Sequence, residues 1–158
     1  MATRDEEDRL LIVTRVIAAP RALVRRAWTA PGHIEKWWAP TGFTTTTHHR
    51  DLRSGGEWRF TMHGLDGRDY ENRVLFDTIE EPRRIAFRHS GGGDTEKICF
   101  LNEFLFEEVD GGTRVTIRQV HPSKEARDFV VREFNALEGG KQTLARLDDF
   151  VRSLDAPG

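Results

Sequence analysis

From Phe43 to about Val120 the apolar residues recur at every second position, interrupted only by turn signals. The breaks are Ser54-Gly55-Gly56, Gly64-Leu65-Asp66-Gly67, Glu81-Pro82, Ser90-Gly91-Gly92-Gly93-Asp94 and Asp110-Gly111-Gly112. About six strands lie along this stretch, ten to fifteen residues apart and joined as hairpins, an antiparallel meander. A sheet of this kind has one apolar face, which another element must cover.

The chain supplies that element after His121-Pro122. Ser123 is placed to N-cap a long final helix. Phe129, Val130, Phe134, Leu137, Leu144, Leu147, Val151 and Leu154 then recur at helical spacing for some thirty residues. Gly139-Gly140 interrupts the middle, where each glycine costs about 1 kcal/mol against alanine. Two in succession predict a kink or a close approach of helix to sheet.

Ahead of the meander, residues 10–17 (Leu-Leu-Ile-Val-Thr-Arg-Val-Ile) read as a strand. Pro20 opens a helix with Leu23, Val24, Ala27 and Trp28 on one side and a solvated face of Arg21, Arg25 and Arg26 on the other. Pro31 starts a second short helix, Ile34, Trp37 and Trp38 form its face, and Pro40 stops it. The expected fold is α+β, in the order β-α-α-β6-α. The antiparallel sheet curls around the final helix, and the two short helices plug the gap between the first two strands.

The bulk properties narrow the function. A chain of 158 residues predicts one domain, over 9–155, with an acidic lead at 1–8 and a tail at 156–158. A net charge of −2 gives no electrostatic case for nucleic acid. No apolar run approaches the ~20 residues of a membrane span, and the charged N-terminus is unlike a signal peptide. A single cysteine, Cys99, excludes an internal disulfide. A cytoplasmic protein is expected.

Alternation assigns the inner face. It holds Trp58, Phe60 and Met62 on one strand, then Tyr70, Asn72, Val74 and Phe76 on the next. A third strand adds Ile98, Phe100, Asn102, Phe104 and Phe106. Asn72 and Asn102 share the apolar parity of their strands, so each needs a bonded partner or a wet space. On the last helix, Glu133 falls near the middle of the apolar arc set by Val130, Leu137, Leu144 and Val151, with Lys141 and Asp148 toward one edge. The outer face is partly apolar at Leu75, Cys99, Leu101 and Leu105, which admits a homodimer.

No chemistry-bearing motif emerges. His48 and His49 are neighbours on a strand and point apart, and His33, His63, His89 and His121 sit near element ends without convergent spacing for zinc. Gly91-Gly92-Gly93 lies within the meander, so a phosphate-cradling role is not predicted, and no Ser-His-Asp order stands out. Neither metal nor cofactor nor catalytic residue is assigned.

Three of the four tryptophans, Trp28, Trp37 and Trp38, fall within eleven residues. Adjacent helical residues point about 100° apart. One of the pair Trp37-Trp38 should therefore pack inward and the other lean toward a cavity mouth or a loop.

The segments Ala27-Trp28-Thr29-Ala30-Pro31, Trp37-Trp38-Ala39-Pro40, Arg53-Ser54-Gly55-Gly56-Glu57-Trp58 and Glu138-Gly139-Gly140-Lys141-Gln142 carry a resemblance. Over about residues 9–153 the chain resembles the helix-grip fold of the START-related SRPBCC superfamily. Within it the match is to the bacterial branch called activator of heat-shock-protein-90 ATPase homologue-like. Many relatives carry a tryptophan shortly after the tail's glycine, where this chain has Gly140-Lys141. The missing ring should widen or polarise the space nearby.

The resemblance implies a small apolar or aromatic ligand held between sheet and final helix, in a cavity of ~300 Å³ or more. The expected ligand-binding set is Trp38, Trp58, Phe60, Met62, Tyr70, Asn72, Phe100, Asn102, Phe104, Glu133 and Leu137. It also leaves open a chaperone or stress-response partner, and a cavity-based cyclase or hydrolase-like enzyme.

Overall fold

A computed structural model of the protein describes residues 8–30, 32–39, 41–91, 99–134 and 136–155. Strand β1 (Leu10–Ile17) is followed by α1 (Arg21–Thr29) and a single 3-10 turn (Ile34–Lys36). The meander comprises β2 (Thr44–Arg50), β3 (Glu57–His63), β4 (Asp69–Glu80), β5 (Arg84–Gly91), β6 (Cys99–Val109) and β7 (Gly112–Val120). Helices α2 (Lys124–Phe134) and α3 (Ala136–Asp155) complete the chain.

The strands form one curved antiparallel sheet in the order β1-β7-β6-β5-β4-β3-β2. The α+β helix-grip architecture read from the sequence is therefore present. Register aligns the inner-face residues across the sheet. Phe60 lies opposite Asn72, Phe87 opposite Asn102, and Phe104 opposite Ile117. A one-residue slip would turn every one of these side chains outward.

The core is aromatic and centred on Trp28, which is wholly buried. The rings of Trp37, Trp38, Trp58, Phe76, Phe87 and Phe104 surround it, with centroids 5.1–6.4 Å away and mostly edge-on. Edge-to-face packing sets the positive rim of one ring against the negative face of the next. Leu144, Leu147 and Val151 of α3 close this core from the other side.

Two local expectations are corrected. The second helix is one 3-10 turn, in which Trp37 and Trp38 both donate backbone N–H groups to the Ile34 carbonyl, at 3.3 and 2.9 Å. Both rings are buried but they part as expected: Trp37 packs into the core with its Nε1 donating to the Ala27 carbonyl at 2.9 Å, and Trp38 faces the space between sheet and α3. Gly139-Gly140 lies inside α3. The glycines serve a close approach: a Cβ on Gly140 would stand 3.0 Å from Val13 Cγ2 on β1. Ser123 does cap α2, accepting from the Ala126 N–H at 3.0 Å.

The second correction concerns the arginine face of α1. Arg25 is 4% exposed, pairs with Glu81 and lays its guanidinium 5.0 Å from the Phe106 ring centroid. Burial lowers its pKa from the ordinary value, opposed by Glu81. Arg21 reaches Glu108 at 3.2 Å, and Arg26 alone of the three is fully exposed. On the outer sheet face Leu75 is 38% exposed, while Glu103 is bracketed by Arg84 and Arg118 at 2.7 and 2.8 Å.

The Gly92-Gly93 turn, Ile98, Pro31 and Pro40 lie outside the described residues, as do the lead to residue 7, the tail from 156 and the side chain of Glu133.

Candidate functional site

Between the sheet and the N-terminal half of α3 lies a partly open cavity of about 200 Å³. The sheet contributes Met62 from β3, His89 from β5, Phe100, Asn102 and Phe104 from β6, and Ile117 and Gln119 from β7. Helix α3 contributes Gly139, Gly140 and Thr143, and the loop after the 3-10 turn adds Trp38 and Ala39. The glycines let the helix come down on β1 while leaving its cavity-facing turn without side chains. The volume is below the ~300 Å³ typical of drug-sized ligand sites. An apolar cavity of about 150 Å³ is enough for benzene.

Two larger spaces, about 450 and 550 Å³, are open grooves beside α1 and the β6–β7 turn. Neither has an aromatic residue in its lining.

The polar groups of the cavity are few and specific. Asn72 Nδ2 donates to the Tyr70 carbonyl at 2.9 Å, which leaves Oδ1 as acceptor toward His89 Nε2 at 2.8 Å. His89 therefore carries its proton on Nε2 and presents Nδ1 as a lone pair. Burial pushes the His89 pKa down to about 4, so the ring is neutral near pH 7. Asn102 is 2% exposed and its Oδ1 has no hydrogen-bond partner. Thr143 donates its hydroxyl proton to the Gly139 carbonyl at 2.9 Å.

The loop carrying Trp38 is fastened to α3 by Arg146 and by Gln142, whose Oε1 accepts from the Thr41 N–H at 3.2 Å. Arg146 Nη1 donates to the carbonyls of Ala39, Phe43 and Trp38 at 2.8, 3.2 and 3.5 Å, and Nη2 to that of Lys36 at 3.4 Å. Thr45 Oγ1 also donates to the Trp38 carbonyl, at 3.1 Å. Ala39 is held at φ 98°, a conformation that a residue with a Cβ adopts at a cost of about 1–2 kcal/mol. The latch and the neighbouring core over-determine this turn.

Of the residues read from sequence, the structure brings Trp38, Met62, Phe100, Asn102 and Phe104 to one cavity. Trp58 and Phe60 stack on each other at 3.9 Å and stand behind Trp38, fully buried. Asn72 acts one layer back, through His89. Tyr70 packs beside Phe43 at 6.1 Å and under the Arg68 guanidinium, away from the cavity lining. Leu137 is 40% exposed. His89, Ile117, Gln119, Thr143 and Ala39 were not anticipated. The first three share the inner parity of Phe87 and Val115 on strands whose faces had not been assigned, so alternation could have found them.

One arrangement elsewhere has the connectivity of a proton relay. His63 Nε2 lies 2.8 Å from Thr46 Oγ1, and its Nδ1 lies 2.7 Å from Asp69 Oδ1. Thr46 and Asp69 are solvent-exposed and His63 borders them on the outer face of β2–β4. None of the three residues lines any of the cavities above, so the trio ties the hairpins together without an enclosed space for a substrate. Among the described residues no group of three or more His, Cys, Asp or Glu side chains is placed to hold a metal. Among the same residues no helix is long and apolar enough to cross a membrane.

Comparison with known proteins agrees with this architecture. A protein of Mycobacterium smegmatis is 27% identical, with 96% of each chain covered and a TM-score of 0.84. A protein of Arthrobacter aurescens has a TM-score of 0.85 at 22% identity, over 97% of this chain and 91% of that one. One of Nitrosomonas europaea has a TM-score of 0.82 at 22% identity, over 95% and 98%. At 22% identity the latter two speak for the fold alone. No curated protein matches the chain. The sequence pattern of the family described as "Activator of Hsp90 ATPase homolog 1-like protein" matches residues 18–152, and the chain belongs to that family.

Proposed function

We propose that residues 9–155 form one cytoplasmic domain that binds a small apolar or aromatic molecule between the sheet and α3. The observation that carries this is the cavity of about 200 Å³ walled by Trp38, Met62, Phe100, Phe104 and Ile117, with polar groups confined to a few points. Apolar walls supply affinity by burial, and a small number of placed polar atoms supply orientation. The dense aromatic core behind the wall keeps the cavity from collapsing when empty. Catalysis is not part of the proposal, because the polar atoms on this wall do not form a relay among themselves.

The test is native mass spectrometry of freshly purified protein, followed by thermal denaturation against a set of single-ring aromatic compounds. A retained small molecule, or a rise in Tm that scales with compound concentration, is expected. An apo mass together with an unmoved Tm across the set would remove the proposal.

The family's description favours a second reading, a chaperone or stress-response partner acting through its surface. That reading expects a change in the ATPase rate of an Hsp90-type chaperone on mixing. An unchanged rate at saturating concentration rejects it.

A further inference from the structure

His89 offers the cavity an acceptor that a ligand can reach. Its ring is half-buried among Trp38, Phe60, Phe87 and Phe100, with centroids 5.1–6.5 Å away, and it borders the cavity on the side they leave open. Nε2 has given its proton to Asn72 Oδ1, so Nδ1 carries a lone pair. Among the described residues nothing donates to Nδ1, and the atom keeps accessible surface. Asn102 Oδ1, by contrast, is sealed within the wall. Asn72 is itself pinned to the Tyr70 carbonyl at 2.9 Å, so the imidazole cannot turn its lone pair away without breaking the bond to Asn72. The acceptor is therefore held in one direction before any ligand arrives.

Building on the ligand-binding proposal, we infer that His89 is the specificity-determining residue of the cavity, its Nδ1 taking a hydrogen bond from a hydroxyl or N–H on a single-ring aromatic ligand. The cavity of about 200 Å³ admits one ring with small substituents, which lies against Trp38, Phe100 and Phe104. A ligand of the same shape without a donor displaces water from Nδ1 and leaves the lone pair unpaired. Selectivity comes from the penalty on the missing donor, which is how a site built to hydrogen-bond a hydroxyl rejects the analogue that lacks it.

The pair p-cresol and p-xylene tests this, since a hydroxyl replaces a methyl with little change in shape. Isothermal titration of the full-length protein should give p-cresol an affinity at least about tenfold above p-xylene. In protein labelled with 15N at histidine, p-cresol should move the Nδ1 resonance of His89 away from that of a bare lone-pair nitrogen, while Nε2 stays protonated and p-xylene leaves Nδ1 in place. In His89→Phe the preference should vanish, with circular dichroism confirming the fold. The wild-type measurements need no variant, so a misfolded His89→Phe would not rescue a wrong inference. Equal affinities in the wild-type protein overturn the donor requirement while leaving the cavity as a ligand site. A preference for p-cresol with an unmoved Nδ1 resonance overturns the assignment to His89. Binding of neither compound overturns the ligand-binding proposal itself and this inference with it.

Discussion

His89 Nε2 donates to Asn72 Oδ1 at 2.8 Å, across the diagonal between β5 and β4. The bond fixes the imidazole tautomer and anchors the ring in a nest of Trp38, Phe60, Phe87 and Phe100, with centroids 5.1–6.5 Å away. Among the described residues no charged group is placed to pair with it. An imidazolium there would be desolvated without compensation, so burial sets its pKa near 4.

A pH dependence of stability follows. His121 is also pushed to about 4, by burial first and by the Arg127 charge second. Above about 6.5 both histidines are neutral in folded and unfolded chains alike. Between 6.5 and 4 the unfolded chain binds protons that the folded chain refuses, so stability falls as pH falls. Urea unfolding should lose on the order of a few kcal/mol from these two groups between pH 7 and pH 4. The double variant His89→Phe and His121→Gln should show a shallower slope over that window. An identical slope in the variant would show that other groups set the dependence.

At Gly140 the close approach to Val13 decides the effect of a side chain. Gly140→Ala gains about 1 kcal/mol of helix propensity and pushes a methyl 3.0 Å from the end of a valine side chain on an edge strand. The net change in unfolding free energy should stay within about 1 kcal/mol. Gly140→Leu overfills the same gap and should cost about 1–3 kcal/mol. Comparable midpoints for the two variants would mean that helix and strand separate freely.

Arg146→Met removes the guanidinium donors to this loop while keeping most of the side-chain bulk. The carbonyls of Trp38 and Ala39 are buried with their residues, and losing a charged donor to them should cost about 1.5–3 kcal/mol. The strained Ala39 turn should relax, and tryptophan emission should move to the red as Trp38 gains water. Unchanged stability and emission would contradict the latch.

Asn102→Leu should stabilise the ligand-free protein by about 1 kcal/mol, because an unpaired buried amide gives way to an apolar group of similar size. A loss of stability on this substitution would mean that Asn102 is satisfied in the folded state.

The strands were legible because alternation is a direct consequence of the pleat, and a half-buried sheet enforces it on Trp58, Phe60, Val74, Phe76 and Phe104 alike. The fault in helix reading has a plain cause. Periodicity assumes an unbroken helix of constant pitch. The helix expected after Pro31 is a single 3-10 turn, with Trp37 and Trp38 at its end. Arg25 illustrates another limit. An arginine buries its stem against Phe106 and its head against Glu81, and charge alone does not reveal that. The lining from Thr143 and the glycines depends on how α3 is set down on β1, a tertiary fact without a local signal.

The most direct test of the central claim is amide chemical-shift mapping of the 15N-labelled protein on titration with p-cresol. Binding in the cavity predicts saturable shifts concentrated at Met62, Asn102, Gln119, Gly140 and Thr143, with the outer-face residues Arg59, Arg73 and Arg88 unmoved. The absence of saturable shifts, or shifts confined to the outer face, would contradict it.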